Sequence, residues 1–124
     1  MILICGLPNA GKTTYSKKYD DVIHLDTVKY KSVKDKFLRC IGVAKGKENP
    51  VIEGTYTTKF RRKQLLRFFK HEHNTCIFLD TPVDVCIERE NNYRHRPISI
   101  ILNHQDKLEV PTYDEGWDEI IVIR

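Results

Sequence analysis

Long hydrophobic runs are absent from this sequence. The first apolar stretch, residues 1–5, meets a glycine at once, and no later segment nears the roughly 18 consecutive apolar residues that a membrane span requires. That stretch is also too short for the apolar core of a secretory signal. Four cysteines, Cys5, Cys40, Cys76 and Cys86, include no C-x-x-C pair, which removes the usual zinc and dithiol spacings. Cys5 and Cys76 lie inside apolar runs and read as free buried thiols, in keeping with a reducing compartment. No repeat recurs at a fixed period, and no proline- or serine-rich linker divides the chain. These absences point to one domain, residues 1–124, free of the membrane and placed in the cytoplasm.

What is present is ordinary globular material, 40% hydrophobic and 31% charged. Lys and Arg number 21 against 17 Asp and Glu, a formal charge of +4 that suits a polyanionic partner without requiring one. Short apolar runs alternate with helical patterns. Strands are expected at residues 1–5, 22–25, 50–53, 75–79 and 117–123. Helices are expected at 11–19, from 27 to about 41 with Gly42 and Gly46 at its end, at 58–72, and from 81 to about 92. In the last of these Thr81 is the cap and Pro82 the first turn. A further helix begins at Pro97, with Ile98, Ile101 and Leu102 on one side. Strands apolar on both faces and separated by helices predict an α/β domain, a five-stranded, mostly parallel sheet covered on both sides.

The first strand runs into Gly6-Leu7-Pro8-Asn9-Ala10-Gly11-Lys12-Thr13, which fits G-x-x-x-x-G-K-[ST] at every fixed position. Between a strand and a helix this pattern is a phosphate-binding loop, and the fold it predicts is the three-layer P-loop NTPase fold. Gly6 and Gly11 allow backbone angles and close approach that a side chain would block. The backbone around Pro8, Asn9 and Ala10 then turns amides inward, and the helix beginning near Gly11 adds its positive end. Lys12 would reach the β- and γ-phosphates of ATP or another nucleoside triphosphate. The Thr13 hydroxyl would ligate Mg²⁺, with Thr14 as a further phosphate contact.

Residues downstream sort the P-loop classes. No N-K-x-D for reading guanine is found, which counts against a switch GTPase. Asp26, just past the second strand, is placed either to accept the proton of an incoming hydroxyl or to cap the helix at Thr27. Glu53 and Asp80 each end a strand and compete for the carboxylate beside the metal, with Glu53 nearer the loop in the usual kinase strand order. The segment ERENNYRHRP, residues 88–97, crowds Arg89, Arg94 and Arg96 into a short stretch suited to covering transferring phosphates. A lid is expected over about 89–97. Lys59, Lys63, Arg67 and Lys70 recur at helical spacing, either as a solvated outer face or as a nucleic-acid contact.

The order GLPNAGKTT, HLDTVKY, VIEGTYTTKFRR, FLDTPVDVCIEREN and PTYDEGWDEIIVI resembles the phage and bacterial polynucleotide 5′-hydroxyl kinases over nearly the whole chain. The resemblance implies an ATP- and Mg²⁺-dependent kinase acting on the 5′-OH of DNA or RNA, in a host cytoplasm where phage-encoded. By it, Asp26 is the general base and Lys29 stands where an arginine usually touches the acceptor's phosphate. Arg94 is the lid arginine on the donor phosphates, with Arg96 as its substitute on the substrate side and Arg89 against the nucleotide. Residues 111–117 correspond to the loop beside the adenine. Related kinases act on nucleosides and other small molecules with the same skeleton, and an ATP-binding module without catalysis is a third reading.

Overall fold

Five short strands alternate with helices in the computed structural model, which describes residues 1–25 and 31–124, and two helices in succession separate the last two strands. The strands are β1 (Ile2–Gly6), β2 (Ile23–His24), β3 (Val51–Glu53), β4 (Thr75–Leu79) and β5 (Glu119–Ile123). They form one sheet in the order β2-β3-β1-β4-β5, and every pairing is parallel. Parallel neighbours cannot be joined by tight turns, so each connection crosses the sheet through a helix.

Strand alternation divides the core in two. Leu3 and Cys5 of β1, Ile52 of β3 and Cys76 and Phe78 of β4 face one side, under α2 (Val33–Lys45) and α3 (Lys59–Leu66). Ile4, Val51, Ile77 and Leu79 face the other, under α1 (Lys12–Ser16), α4 (Val83–Arg89) and α5 (Ser99–Lys107). The expected three-layer α/β architecture is therefore the one observed, with all strand pairings parallel. No described helix is long and apolar enough to cross a membrane.

Several element ends differ from the sequence expectation, each for a local reason. The Ser32 hydroxyl caps α2 through the Asp35 amide, and the helix runs through Gly42 to Lys45 because Cys40, Ile41 and Ala44 continue its buried stripe. Gly46, not Gly42, ends it. The helix after the phosphate loop is regular only to Ser16 and then tightens into turns through Tyr19. Helix α3 stops at Leu66, leaving Lys70 beyond it, and α5 starts at Ser99 with Ile101 buried and Leu102 exposed. Thr81 does not cap α4. Its hydroxyl donates instead to the Ala10 carbonyl at 2.7 Å, tying the end of β4 to the phosphate loop.

After α5 the chain crosses to the other layer, where Leu108 and Trp117 join the α2/α3 core, before β5 can pair with β4. A fully buried arginine holds this crossing. Arg62 donates to the Glu115 carboxylate at 2.7 and 3.1 Å, to the Glu109 carbonyl at 2.8 Å and to the Tyr56 carbonyl at 2.9 Å. Burial pushes the Glu115 carboxyl up, but Arg62, the Thr112 amide and the Trp117 indole together hold it below the ordinary 4.5. Residues 111–117 thus form a structural strap held through Glu115, and none of them lines the cleft described below.

Removing one partner of a buried ion pair leaves a charge without compensation. Arg62→Met is expected to lower the unfolding free energy by about 3–5 kcal/mol, read as a lower urea midpoint at neutral pH. Because the folded carboxyl of Glu115 is depressed, its contribution is complete above pH 4.5 and is lost on acidification. The gap between parent and variant should therefore narrow below that pH.

Candidate active site

The phosphate loop is shaped by backbone that excludes side chains. At Gly6 a Cβ would lie 2.8 Å from the Leu79 carbonyl oxygen and 3.2 Å from the Ala10 Cβ, so the loop and β4 meet at a distance only glycine permits. Asn9 and Gly11 both take left-handed angles, with φ of 65° and 99°. Gly11 is the N-cap of α1 and no side chain caps that end. The first-turn amides of α1 therefore have no partner within the helix. Lys12 is buried and folds back over the loop, donating to the Gly6 and Leu7 carbonyls at 3.1 and 2.7 Å. Thr13 and Thr14 are exposed on the cleft.

The arginine segment does not stand off from this loop as a separate lid. Helix α4 passes into one π turn, Glu90–Arg94, closed by the His95 amide on the Glu90 carbonyl at 2.7 Å. Asn9 is where this turn meets the loop. Its backbone carbonyl accepts from Arg89 at 2.8 Å and its side-chain oxygen from Arg94 at 3.3 Å. Its amide nitrogen donates to the Glu90 carboxylate at 3.1 Å and to the Cys86 carbonyl at 3.3 Å. Glu90 is fully buried and is met from the other side by Arg96, which donates through its backbone amide at 3.0 Å and its guanidinium at 2.9–3.3 Å. The Arg96 guanidinium holds the Glu90 carboxyl down at about 2 against the opposing effect of burial, with help from the Arg96 amide and Asn9. Arg96, expected to contact substrate, is thus committed to Glu90, whereas Arg89 and Arg94 face the loop.

One cleft of about 1700 Å³ joins these groups. The phosphate loop forms its floor, Arg89, Tyr93 and Arg94 one wall, and Leu25, Val33, Lys36, Glu53 and Thr55 another. Glu53 is buried at the end of β3 beside β1 and accepts from His24 Nδ1 at 3.0 Å. His104 Nδ1, on a helix across the cleft, lies 3.4 Å from the Thr57 hydroxyl. Of the two competing carboxylates, Glu53 lines the cleft, while Asp80 pairs with Arg124 at 3.4 Å beside β5. Asp26 and Lys29 lie outside the described residues.

The donor set suits a triphosphate. Lys12, Arg89 and Arg94 bring three cations to a loop whose amides open on the cleft, and Glu90, the buried carboxylate next to them, is already neutralised by Arg96. Among the described residues no group of three His, Cys, Asp or Glu could hold a metal ion. Sequence reasoning missed Glu90 and Arg62, and also His24, Thr55 and His104 at the cleft. Glu90 gave one signal, a carboxylate set among three arginines.

A comparison with family models finds no match, and a comparison with curated proteins finds none. Among solved structures, a gluconokinase from Sinorhizobium meliloti 1021 superposes with a TM-score of 0.74 at 17% identity, covering 98% of this chain and 80% of that one. A sugar kinase from Janibacter sp. HTCC2649 gives 0.68 at 16% identity, covering 98% and 83%. At these identities the likeness establishes the fold, which is one that kinases use.

Two outcomes are expected here. Gly6→Ala forces a Cβ against backbone and should cost about 1–3 kcal/mol, seen as a lower thermal midpoint together with weaker ATP binding. Because the folded Glu90 carboxyl is depressed to about 2 from 4.5, its stabilisation is complete above pH 4.5 and fades down to about pH 2. The stability advantage of the parent over Glu90→Gln should shrink across that window in acid unfolding followed by circular dichroism.

Proposed function

We propose that this chain is an ATP- and Mg²⁺-dependent phosphotransferase that phosphorylates a hydroxyl of a small polar molecule. The observation that carries the reading is the single cleft in which the phosphate loop and its cations face a second wall bearing the Glu53 carboxylate. ATP supplies the γ-phosphoryl group when bound. The loop amides and Lys12 hold the phosphate oxygens, Thr13 holds the metal, and Arg89 and Arg94 bear on the charge that develops in transfer. Asp26 is assigned as the base that takes the acceptor's proton, on its sequence position one crossover after the loop.

The small-molecule acceptor is favoured by the composition of that second wall. Leu25 and Val33 mix apolar contact with Glu53 and Thr55 there, and Ile100 and His104 line the cleft from the helix across it, the makeup of a pocket that orients one polar ligand. A buried carboxylate held by histidine is suited to accept hydrogen bonds from hydroxyls. The structural neighbours named as sugar kinases support the same direction. The polynucleotide reading implied by the sequence resemblance keeps one supporting observation, the basic lining from Lys18, Lys36 and Arg94. The two differ in salt response, because polynucleotide binding releases counterions and weakens steeply as salt rises.

Transfer from γ-labelled ATP to sugars, sugar acids, nucleosides and a 5′-OH oligonucleotide tests the proposal. Label is expected on a small hydroxylated acceptor, with kcat reduced at least about 100-fold in Lys12→Ala. Asp26→Asn should lose turnover to a similar degree while still binding ATP. Label on the oligonucleotide alone would overturn the acceptor. Tight ATP binding with no labelled acceptor would overturn the phosphotransferase reading in favour of a binding module.

A further inference from the structure

Arg94 is exposed, on a π turn with Asn91, Asn92 and Tyr93 also exposed, and an arginine so placed has many rotamers open to it. The contact that aims it at the phosphate loop is its hydrogen bond to the Asn9 side-chain oxygen. A carboxamide has two ends, and only one of them can accept from a guanidinium. The orientation of Asn9 therefore decides whether Arg94 is attracted to the loop or repelled from it.

That orientation is set by Glu90. The Asn9 nitrogen finds two acceptors, the Cys86 carbonyl and the Glu90 carboxylate, and the second is charged and fully buried. Turning the amide over would point its oxygen at that carboxylate at 3.1 Å and its NH₂ at Arg94. Both contacts would become repulsive. Glu90 in turn cannot move, because Arg96 grips both of its oxygens through backbone and guanidinium. The chain of dependence runs Arg96, Glu90, Asn9, Arg94, and it ends at the phosphate loop.

We infer that Glu90 is a positioning residue for the reaction, its buried carboxylate fixing the Asn9 carboxamide so that the amide oxygen holds Arg94 at the phosphate loop. The inference rests on the phosphotransferase reading for its effect on turnover, and on nucleotide binding alone for its effect on affinity. Glu90 touches no reactant. It acts through a neighbour, and that makes its signature different from that of a residue needed only for folding.

The test is a double-mutant cycle between Glu90→Gln and Arg94→Ala, reading kcat and MgATP affinity by calorimetry, with the thermal midpoint recorded for each variant. If Glu90 works by placing Arg94, Glu90→Gln lowers kcat about tenfold and MgATP affinity by about a factor of five, and neither loss recurs once Arg94 is gone. Losses that multiply in the double variant would overturn the inference, as would a Glu90→Gln enzyme that binds and turns over like the parent. Asn9→Gly guards against a Glu90 variant that folds poorly. Glycine accepts the left-handed angle at position 9, removes the carboxamide and leaves the Glu90–Arg96 pair intact, and it should show the same dependence on Arg94. Should the parent bind ATP without phosphorylating any acceptor, the affinity half of the cycle still decides the inference, while the missing turnover counts only against the phosphotransferase reading.

Discussion

The carboxylate of Glu90 has no access to water, so its charge must be answered by protein donors. Arg96 supplies most of them and Asn9 the remainder, and the consequences spread from there. Because Asn9 belongs to the phosphate loop, satisfying Glu90 docks the arginine turn onto the loop. Because Asn9 is left-handed at φ 65°, the same residue that bends the loop also turns its side chain toward the turn. The glycine loop and the arginine wall are thus one hydrogen-bonded unit, its groups held by one another. Such preorganisation is what gives fixed dipoles and charges their effect on a transferring group.

The opposite layer depends on a second buried charge, answered in the same manner. Arg62 lies within a helix whose neighbouring cations Arg61 and Lys63 are exposed. It alone turns inward, toward a chain segment that has left its own layer. A parallel fifth strand requires a crossover, and here the crossover is residues 108–117, bound by the Glu109 carbonyl and the Glu115 carboxylate to one guanidinium. The planar five-donor fork matches two carbonyls and a bidentate carboxylate at once, which a lysine could not do. The scaffold charge and the site charge follow one rule: a fully buried ion carries enough partners to fix the geometry of everything attached to them.

Much of this was legible in the sequence, and the boundary of legibility is physical. The strands read correctly because a parallel sheet buries both faces, so its strands stand out as unbroken apolar runs such as TCIFL. The turn after β1 was legible because its requirements are local: glycine stands where backbone must approach, as Gly6 does against Leu79. Arg62 was not legible, since helical spacing places a basic residue on a face without saying whether a carboxylate 53 positions later will meet it. Asn9 counted as one of four free positions in the motif, and its role appears only when α4 folds back across the loop. The strap at 111–117 was not legible, because its sequence pattern says nothing about which layer it crosses. Thr81 looked like a helix cap and is one in composition, but the Ala10 carbonyl claims its hydroxyl first.

The two halves of the cleft differ in how far they can be generalised. The phosphate half is made largely of backbone amides and a few cations, and a triphosphate has the same shape in every enzyme that uses it. That is why a motif suffices to find it. The acceptor half is made of side chains, Glu53 with its His24 partner, Thr55, Leu25 and Val33, on short strand ends and on the helix that follows. Nothing in the fold constrains those choices, and chains at 16–17% identity share the sheet and the crossovers without having to share that wall. Specificity must therefore be argued from the wall itself. A carboxylate buried beside histidine, rather than a cluster of arginines, faces the space where the acceptor would sit. Glu53 would disfavour a phosphate set against it while Lys36 on the same wall would draw one, and neutral hydroxyls would find in Glu53 an acceptor for their protons. On the function proposed above, that hydrogen-bond acceptor is the argument for a small hydroxylated substrate.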